Sequence, residues 1–318
     1  MLQYIVRRLL ISVPVLLAIT ALIFTLLQFV PGDPLDAYAP PDLPMPASQR
    51  IALRHALGLD QPPVIRYFYW LGEALHGNLG LRTQNFEPVS AAIGRAMGPT
   101  LALMGSGLLL GIVVGIGLGV LSVLFRGSWL DAGISLLAYL GISMPAFWVG
   151  LVGLYIFALV FHLFPAGGFD TPGQPFSLWD HLDHLILPAT LLSLNYIAVF
   201  LRYTRSALLE ILGLDYVRTA RAKGLPRRTV LGKHALRNAL LPVVTIIGSS
   251  IPTLVGGAVF IESIFSWPGM GQLFIAGVDS RDYALIMGMT LVLAVTILLA
   301  NLLTDLAYAL IDPQVRLE

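Results

Sequence analysis

Six stretches of the chain are apolar and free of charge: residues 9–30, 99–125, 132–161, 185–201, 239–261 and 283–304. An α-helix rises about 1.5 Å per residue and a bilayer core is about 30 Å thick, so a crossing takes about 20 such residues. A spanning barrel strand needs only about 10 residues with alternating faces, so runs of this length predict helices. The expected fold is therefore an all-α integral membrane protein with six transmembrane helices. Asp131 and Asp305 stand just outside the third and sixth runs, and the fourth run is short.

Composition agrees, with 57% hydrophobic and 12% charged residues in 318, far from the usual balance of a soluble domain. The net charge of +1 hides an uneven distribution. If both termini and alternate loops share one side, that side holds Arg7, Arg8, Arg126, Arg316 and nine Lys or Arg residues from Arg202 to Arg237, 13 basic against six acidic residues. The other side holds six basic and 12 acidic residues. The excess of Lys and Arg marks the cytoplasmic side, which places both termini there and makes nucleic acid an unexpected partner. The first run follows Arg7 and Arg8, but it is too long for a signal peptide, and Pro31-Gly32-Asp33-Pro34 separates it from the small residues Ala37 and Ala39; an uncleaved helix is expected. Absence of cysteine excludes disulfides, thiolate metal sites and thiol nucleophiles.

Three connections exceed turn length. Residues 31–98 are external, open with Asp33-Pro34 as an N-cap and first helical position, and carry Tyr67-Phe68-Tyr69-Trp70, a run suited to the membrane interface. A second external connection covers about 162–184. Residues 202–238 are cytoplasmic and read as two helices broken at Gly224, with Pro226 near the first turn of the second. Such a basic pair beside a membrane could bind anionic lipid, serve only to fix topology, or dock in a cleft of a soluble partner.

Asp215-Tyr-Val-Arg-Thr-Ala-Arg-Ala-Lys-Gly-Leu-Pro226, followed by His234-Ala-Leu-Arg-Asn-Ala-Leu-Leu-Pro242, resembles the cytoplasmic EAA loop of ABC importer permeases. The match is to the version in the dipeptide, oligopeptide and nickel family. Against the general loop pattern, Ala220, Gly224 and Leu236 fit, while Arg218, Thr219, His234 and Arg237 depart. Further likeness runs through the opening Met-Leu-Gln-Tyr-Ile-Val-Arg-Arg, Pro31-Gly-Asp-Pro34, Leu57-Gly-Leu-Asp, His76-Gly-Asn-Leu-Gly, Glu262-Ser-Ile-Phe-Ser-Trp-Pro-Gly-Met-Gly271 and Asn301-Leu-Leu-Thr-Asp305 with Asp312-Pro-Gln-Val-Arg316. The resemblance implies a type I importer permease fold over residues 1–318 as one transmembrane domain, with an external insertion after the first helix. It implies a peptide-importing permease subunit in a bacterial inner membrane, a second homologous permease, two cytoplasmic ATPases that carry ATP and magnesium, and an external solute-binding protein. By resemblance, Gly224 makes the turn between coupling helices, and Tyr216, Arg218, Ala220, Lys223 and His234 contact the ATPase. A nickel-chelate importer is the alternative within the family.

Gly107, Gly111, Gly115 and Gly119 share one helix face, a close-packing seam within the subunit or against a partner. Asp180-His181-Leu-Asp183-His184 has the donor types of a transition-metal site, or simply those of a polar helix start. No metal, cofactor or catalytic constellation is expected. Ser249, Ser250 and Thr253 lie near Pro252 and Gly256-Gly257, where irregular backbone could line a pathway. Trp267-Pro268-Gly269 would shape an outer gate, or an interfacial anchor and turn. An ion-coupled secondary transporter is the rival of another class, but would normally bury acids or histidines inside its spans. The chain has no Gly-x4-Gly-Lys-Ser/Thr phosphate loop, so energy must come from a partner.

Overall fold

A computed structural model describes residues 2–31, 33, 35, 46–56, 58–175, 177–224, 226, 229–250, 254 and 258–311. The named elements among them are helical, joined by turns and one isolated antiparallel bridge between Leu81 and Pro88. Contacts divide the chain into two compact units, Met1–Gly98 with Gly269–Glu318, and Pro99–Pro268.

The first unit contains α1 (Leu2–Gln28), α2 (Ala47–Ala56) and α3 (Pro63–Leu75), and later in the chain α11 (Met270–Asp279) and α12 (Tyr283–Ile311). α1 packs along α12, and Arg8 pairs with Asp305. A second contact zone joins Leu79, Val89, Ile93, Ala96, Met270, Leu285 and Met289 in a buried cluster. Asp33 does not simply open a helix. One carboxylate oxygen accepts the Leu35 amide at 3.1 Å, and the other holds Arg50 at 2.8 Å and Arg54, both on α2.

α4 (Val89–Leu124) contains the unit boundary, at Pro99, and is 36 residues long; it starts ten residues before the apolar run. The second unit continues with α5 (Trp129–Ser143), α6 (Ala146–Gly153), a π-helical segment (Leu154–Val160), α7 (Leu178–Leu212), α8 (Asp215–Ala222), a second π-helical segment (Val230–Leu236), α9 (Arg237–Ser250) and α10 (Val259–Ile264). The third apolar run is not one straight helix. α5 and the α6 segment meet at 107° across Met144 and Pro145, because the proline ring drives the preceding residue out of the helical region; Met144 is extended at φ −83°, ψ 129°. α7 corrects the short fourth run, since its 35 residues continue through the polar groups on both sides of 185–201. Hydropathy ends there, but helix-forming residues do not.

The predicted glycine seam packs within the subunit, against α7. A Cβ on Gly111 would lie 2.3 Å from the Tyr196 Cβ, and one on Gly115 would lie 2.8 Å from the Ile197 carbonyl oxygen. Among the described residues, four helices are long and apolar enough to cross a membrane, or five if the bent pair forms one crossing. The run 239–261 passes through residues outside the description.

Candidate functional site

The cytoplasmic loop predicted at 202–238 begins as an extension of α7, which turns at Gly213 and Leu214 into α8. Asp215 sits in the first turn of α8, where a carboxylate complements the helix dipole. Gly224 has φ +75°, a left-handed conformation that glycine adopts without a side-chain clash. Pro226 then starts the return, its carbonyl accepting the amides of Thr229 at 2.9 Å and Val230 at 3.1 Å.

Val217 and Ala220 from α8 close against Val230, with Ile211 and Leu212 packed beside them. Ala220 is therefore part of the loop's own core, not of its outer face. Tyr216, Arg218, Lys223 and Gly224 are exposed. The Asn238 amide donates to the Tyr216 hydroxyl at 3.0 Å, and Arg218 lies 3.6 Å from Asp215 one turn earlier. The backbone of His234 is in the second π-helical segment, and its side chain lies outside the description. Ala235 and Ala239, both fully buried, seat the return helix on Val123 and Leu208. The result is a self-supporting helix pair that displays cations and a phenol to solvent.

Behind this loop is a group that the sequence reading missed. Arg205 on α7 holds both carboxylate oxygens of Asp131 at 2.9 Å, and its Nε donates to Ser122 Oγ at 2.7 Å. Ser122 in turn donates to Asp131 at 2.5 Å, and the Gly127 amide donates to the second oxygen at 3.1 Å. The ends of α4, α5 and α7 are thus fastened together about two turns before the turn at Gly213. Ser128-x-x-Asp131 was a readable N-cap signal: Ser128 Oγ accepts the Asp131 amide at 3.3 Å. The partner on α7 was not readable, being 74 residues away.

At the opposite end of the second unit, Trp267 is completely buried, so it is not an exposed interfacial anchor. Its indole donates to the Pro99 carbonyl at 2.8 Å, and its ring sits 4.9 Å from Phe169 and 5.6 Å from His181. Pro268 is exposed and Gly269 buried, preceding α11 in extended conformation. Beside Trp267, buried Glu262 accepts from Thr100 at 2.8 Å. In the first unit, buried Asp282 accepts the Leu285 amide as the cap of α12 and the Thr83 amide at 3.0 Å. These two acids stand just beyond the apolar runs 239–261 and 283–304.

Ser249 and Ser250, both on α9, donate to the Ile246 carbonyl at 2.9 and 2.8 Å. Thr253 lies outside the described residues. The Asp-His group is occupied by protein: Asp180 accepts from the Thr171 amide and hydroxyl, His184 Nδ1 is 2.8 Å from the Asp180 carbonyl, and His181 Nδ1 is 3.1 Å from the Phe169 carbonyl. Among the described residues no three His, Cys, Asp or Glu are grouped to hold a metal.

The model of the family described as binding-protein-dependent transport system inner membrane component matches residues 107–317, and the model of its N-terminal region matches residues 1–92. A Brucella suis biovar 1 protein bearing a peptide-permease name is 53% identical over 317 residues, 99% of each chain. The oligopeptide transport system permease protein AppB of Bacillus subtilis is 40% identical over 99% of this chain and 100% of its own. The dipeptide transport system permease protein DppB of Escherichia coli K12 is 38% identical over 99% of both. In fold, the chain is similar to the inward-facing MetNI methionine ABC transporter, with a TM-score of 0.55, 21% identity, and coverage of 69% of this chain and 96% of that one. With both family models matching in order and relatives aligned end to end, the chain belongs to the family of binding-protein-dependent transport system inner membrane components and is a permease subunit of an ABC importer.

Proposed function

We propose that this chain forms half of the pathway through which an ATP-driven importer brings peptides across the bacterial inner membrane. The names of the relatives support peptides over the nickel-chelate alternative. Family membership decides against an ion-coupled transporter. The second permease, the solute-binding protein and the ATPases that carry ATP and magnesium complete the complex. Both termini and the loop at 202–238 face the cytoplasm, as the basic excess requires.

The observation that carries the coupling role is the helix pair around Gly224. A loop that only fixed topology would need its charges but not a buried core. Here Val217, Ala220 and Val230 rigidify the pair while Tyr216, Arg218 and Lys223 stay outside. A rigid projection directly continuous with α7 can transmit displacement of a docked ATPase to the membrane helices.

The test is co-purification of the assembled importer from cells expressing all its subunits, comparing wild type with Arg218→Glu/Lys223→Glu. Both side chains are exposed, so the variant should fold and insert normally yet lose most of its bound ATPase. Full retention of ATPase by the variant would remove these residues from the interface.

A further inference from the structure

α3 carries its charges on the wrong side for a helix in water. At about 100° per residue, Val64, Ile65, Phe68, Tyr69, Gly72 and Leu75 share an arc of about 140°. That arc contains no charge, and its five side chains are exposed, Leu75 at 81% and Tyr69 at 72%. Arg66 and Glu73 lie on the remaining face and are half-buried. A surface helix normally shows the reverse arrangement.

The inner face of α3 fixes its level against α1. Arg66 donates to the Gln28 side chain at 3.1 Å and stands over the Phe24 ring at 5.8 Å. Tyr67 packs edge-on against Phe24, and its hydroxyl lies 2.9 Å from Thr20 Oγ1 and 3.2 Å from the Leu17 carbonyl oxygen. Thr20 is eight residues before the end of α1 at Gln28, or about 12 Å along its axis. A tyrosine side chain does not reach that far, so the α3 backbone itself lies below the end of α1. Since α1 is a crossing helix, this is the depth of the boundary between headgroups and acyl chains, where amphipathic helices and aromatic residues settle.

We propose that α3 is a membrane-immersed helix whose outward arc contacts the acyl chains of the external leaflet, pinned to α1 by Tyr67. The three central aromatics thus divide the work. Tyr67 turns inward to α1, and Phe68 and Tyr69 turn to lipid. The external connection 31–98 is then partly a lipid-binding element, independent of which solute is carried.

The chain has no cysteine, which makes site-directed spin labelling direct. Phe68→Cys and Leu75→Cys, with Gln84→Cys as an exposed control, would be labelled with a nitroxide. Each would be measured in the importer assembled with its partners and reconstituted in phosphatidylethanolamine/phosphatidylglycerol vesicles. Lipid contact predicts that oxygen relaxes the labels at 68 and 75 several-fold more than a water-soluble nickel chelate does, with the opposite ranking at 84. Preference for the nickel chelate at 68 and 75 would show a water-facing helix, and protection from both reagents would show burial beneath a protein partner. Either result would overturn the proposal.

Discussion

At the scale of single residues, α4 approaches α7 through absent side chains. Gly115 leaves space that a Cβ would fill at 2.8 Å from both the Ile197 carbonyl oxygen and the Phe200 Cβ, whereas Gly117 on the same helix has nothing within 4 Å. Gly115→Val should therefore destabilise the folded chain by about 1–3 kcal/mol through overpacking. Gly117→Ala should raise stability by about 0.5–1 kcal/mol by removing glycine from a helix interior. Thermal unfolding of the purified protein in detergent compares them. The fourfold spacing of the glycines was plain in the sequence; the identity of the facing helix was not, because spacing reveals a face and not its neighbour. Asp33 provides a pH prediction. Partial dehydration raises its pKa, but the Arg50 hydrogen bond, the Leu35 amide and the Arg54 charge outweigh that and hold it below the ordinary carboxylate value. Its contribution is fully present above an unfolded-state pKa of about 3.9 and is lost as the pH falls through the lower folded-state value. Hydrogen exchange in α2 should accelerate below that range, and Asp33→Asn should accelerate it already at pH 7.

At the scale of elements, apolar runs located helices well but their ends poorly. α4 and α7 both continue beyond the runs, since Arg95 in α4 and Asp180, His181, Arg202 and Arg205 in α7 end the hydropathy without interrupting the helix. The bend at Met144 and Pro145 was visible as a proline inside a run, yet its angle depends on the packing of α6 against α7 and α10. The turn in the loop at 202–238 was the most legible feature, because Gly224 and Pro226 determine local backbone directly. Ala220, given by the resemblance as an ATPase contact, is buried with Val217 and Val230, since a one-dimensional motif does not say which face of α8 meets Val230. The Asp131–Arg205 pair now joins three helix ends behind that loop. Removing one member leaves a charged group without its partner, so Asp131→Ala and Arg205→Ala should each cost more than half of what the double variant costs. A thermal-stability double-mutant cycle measures this coupling, and strict additivity would mean that the pair does not fasten the helices.

At the scale of the whole molecule, the alternating-side assignment brings compatible groups together within each unit. Arg8 and Asp305, both assigned to the basic side, meet in the first unit, and Ser122, Asp131 and Arg205, near that side, meet in the second. Thr83 and Asp282, assigned to the opposite side, also meet. Groups that the alternation of spans puts on one side thus meet across up to 297 positions.

The central claim is that ATP hydrolysis on a partner moves peptide through this chain by way of the loop around Gly224. Its most direct test is uptake of a labelled peptide into proteoliposomes containing the full importer, with ATP supplied on the ATPase side and the solute-binding protein on the other. Wild type should accumulate peptide only with ATP, and Arg218→Glu/Lys223→Glu should lose at least about tenfold of that rate, a rise in activation free energy of about 1.4 kcal/mol. ATP-independent accumulation by wild type, or full ATP-driven uptake by the variant, would contradict it.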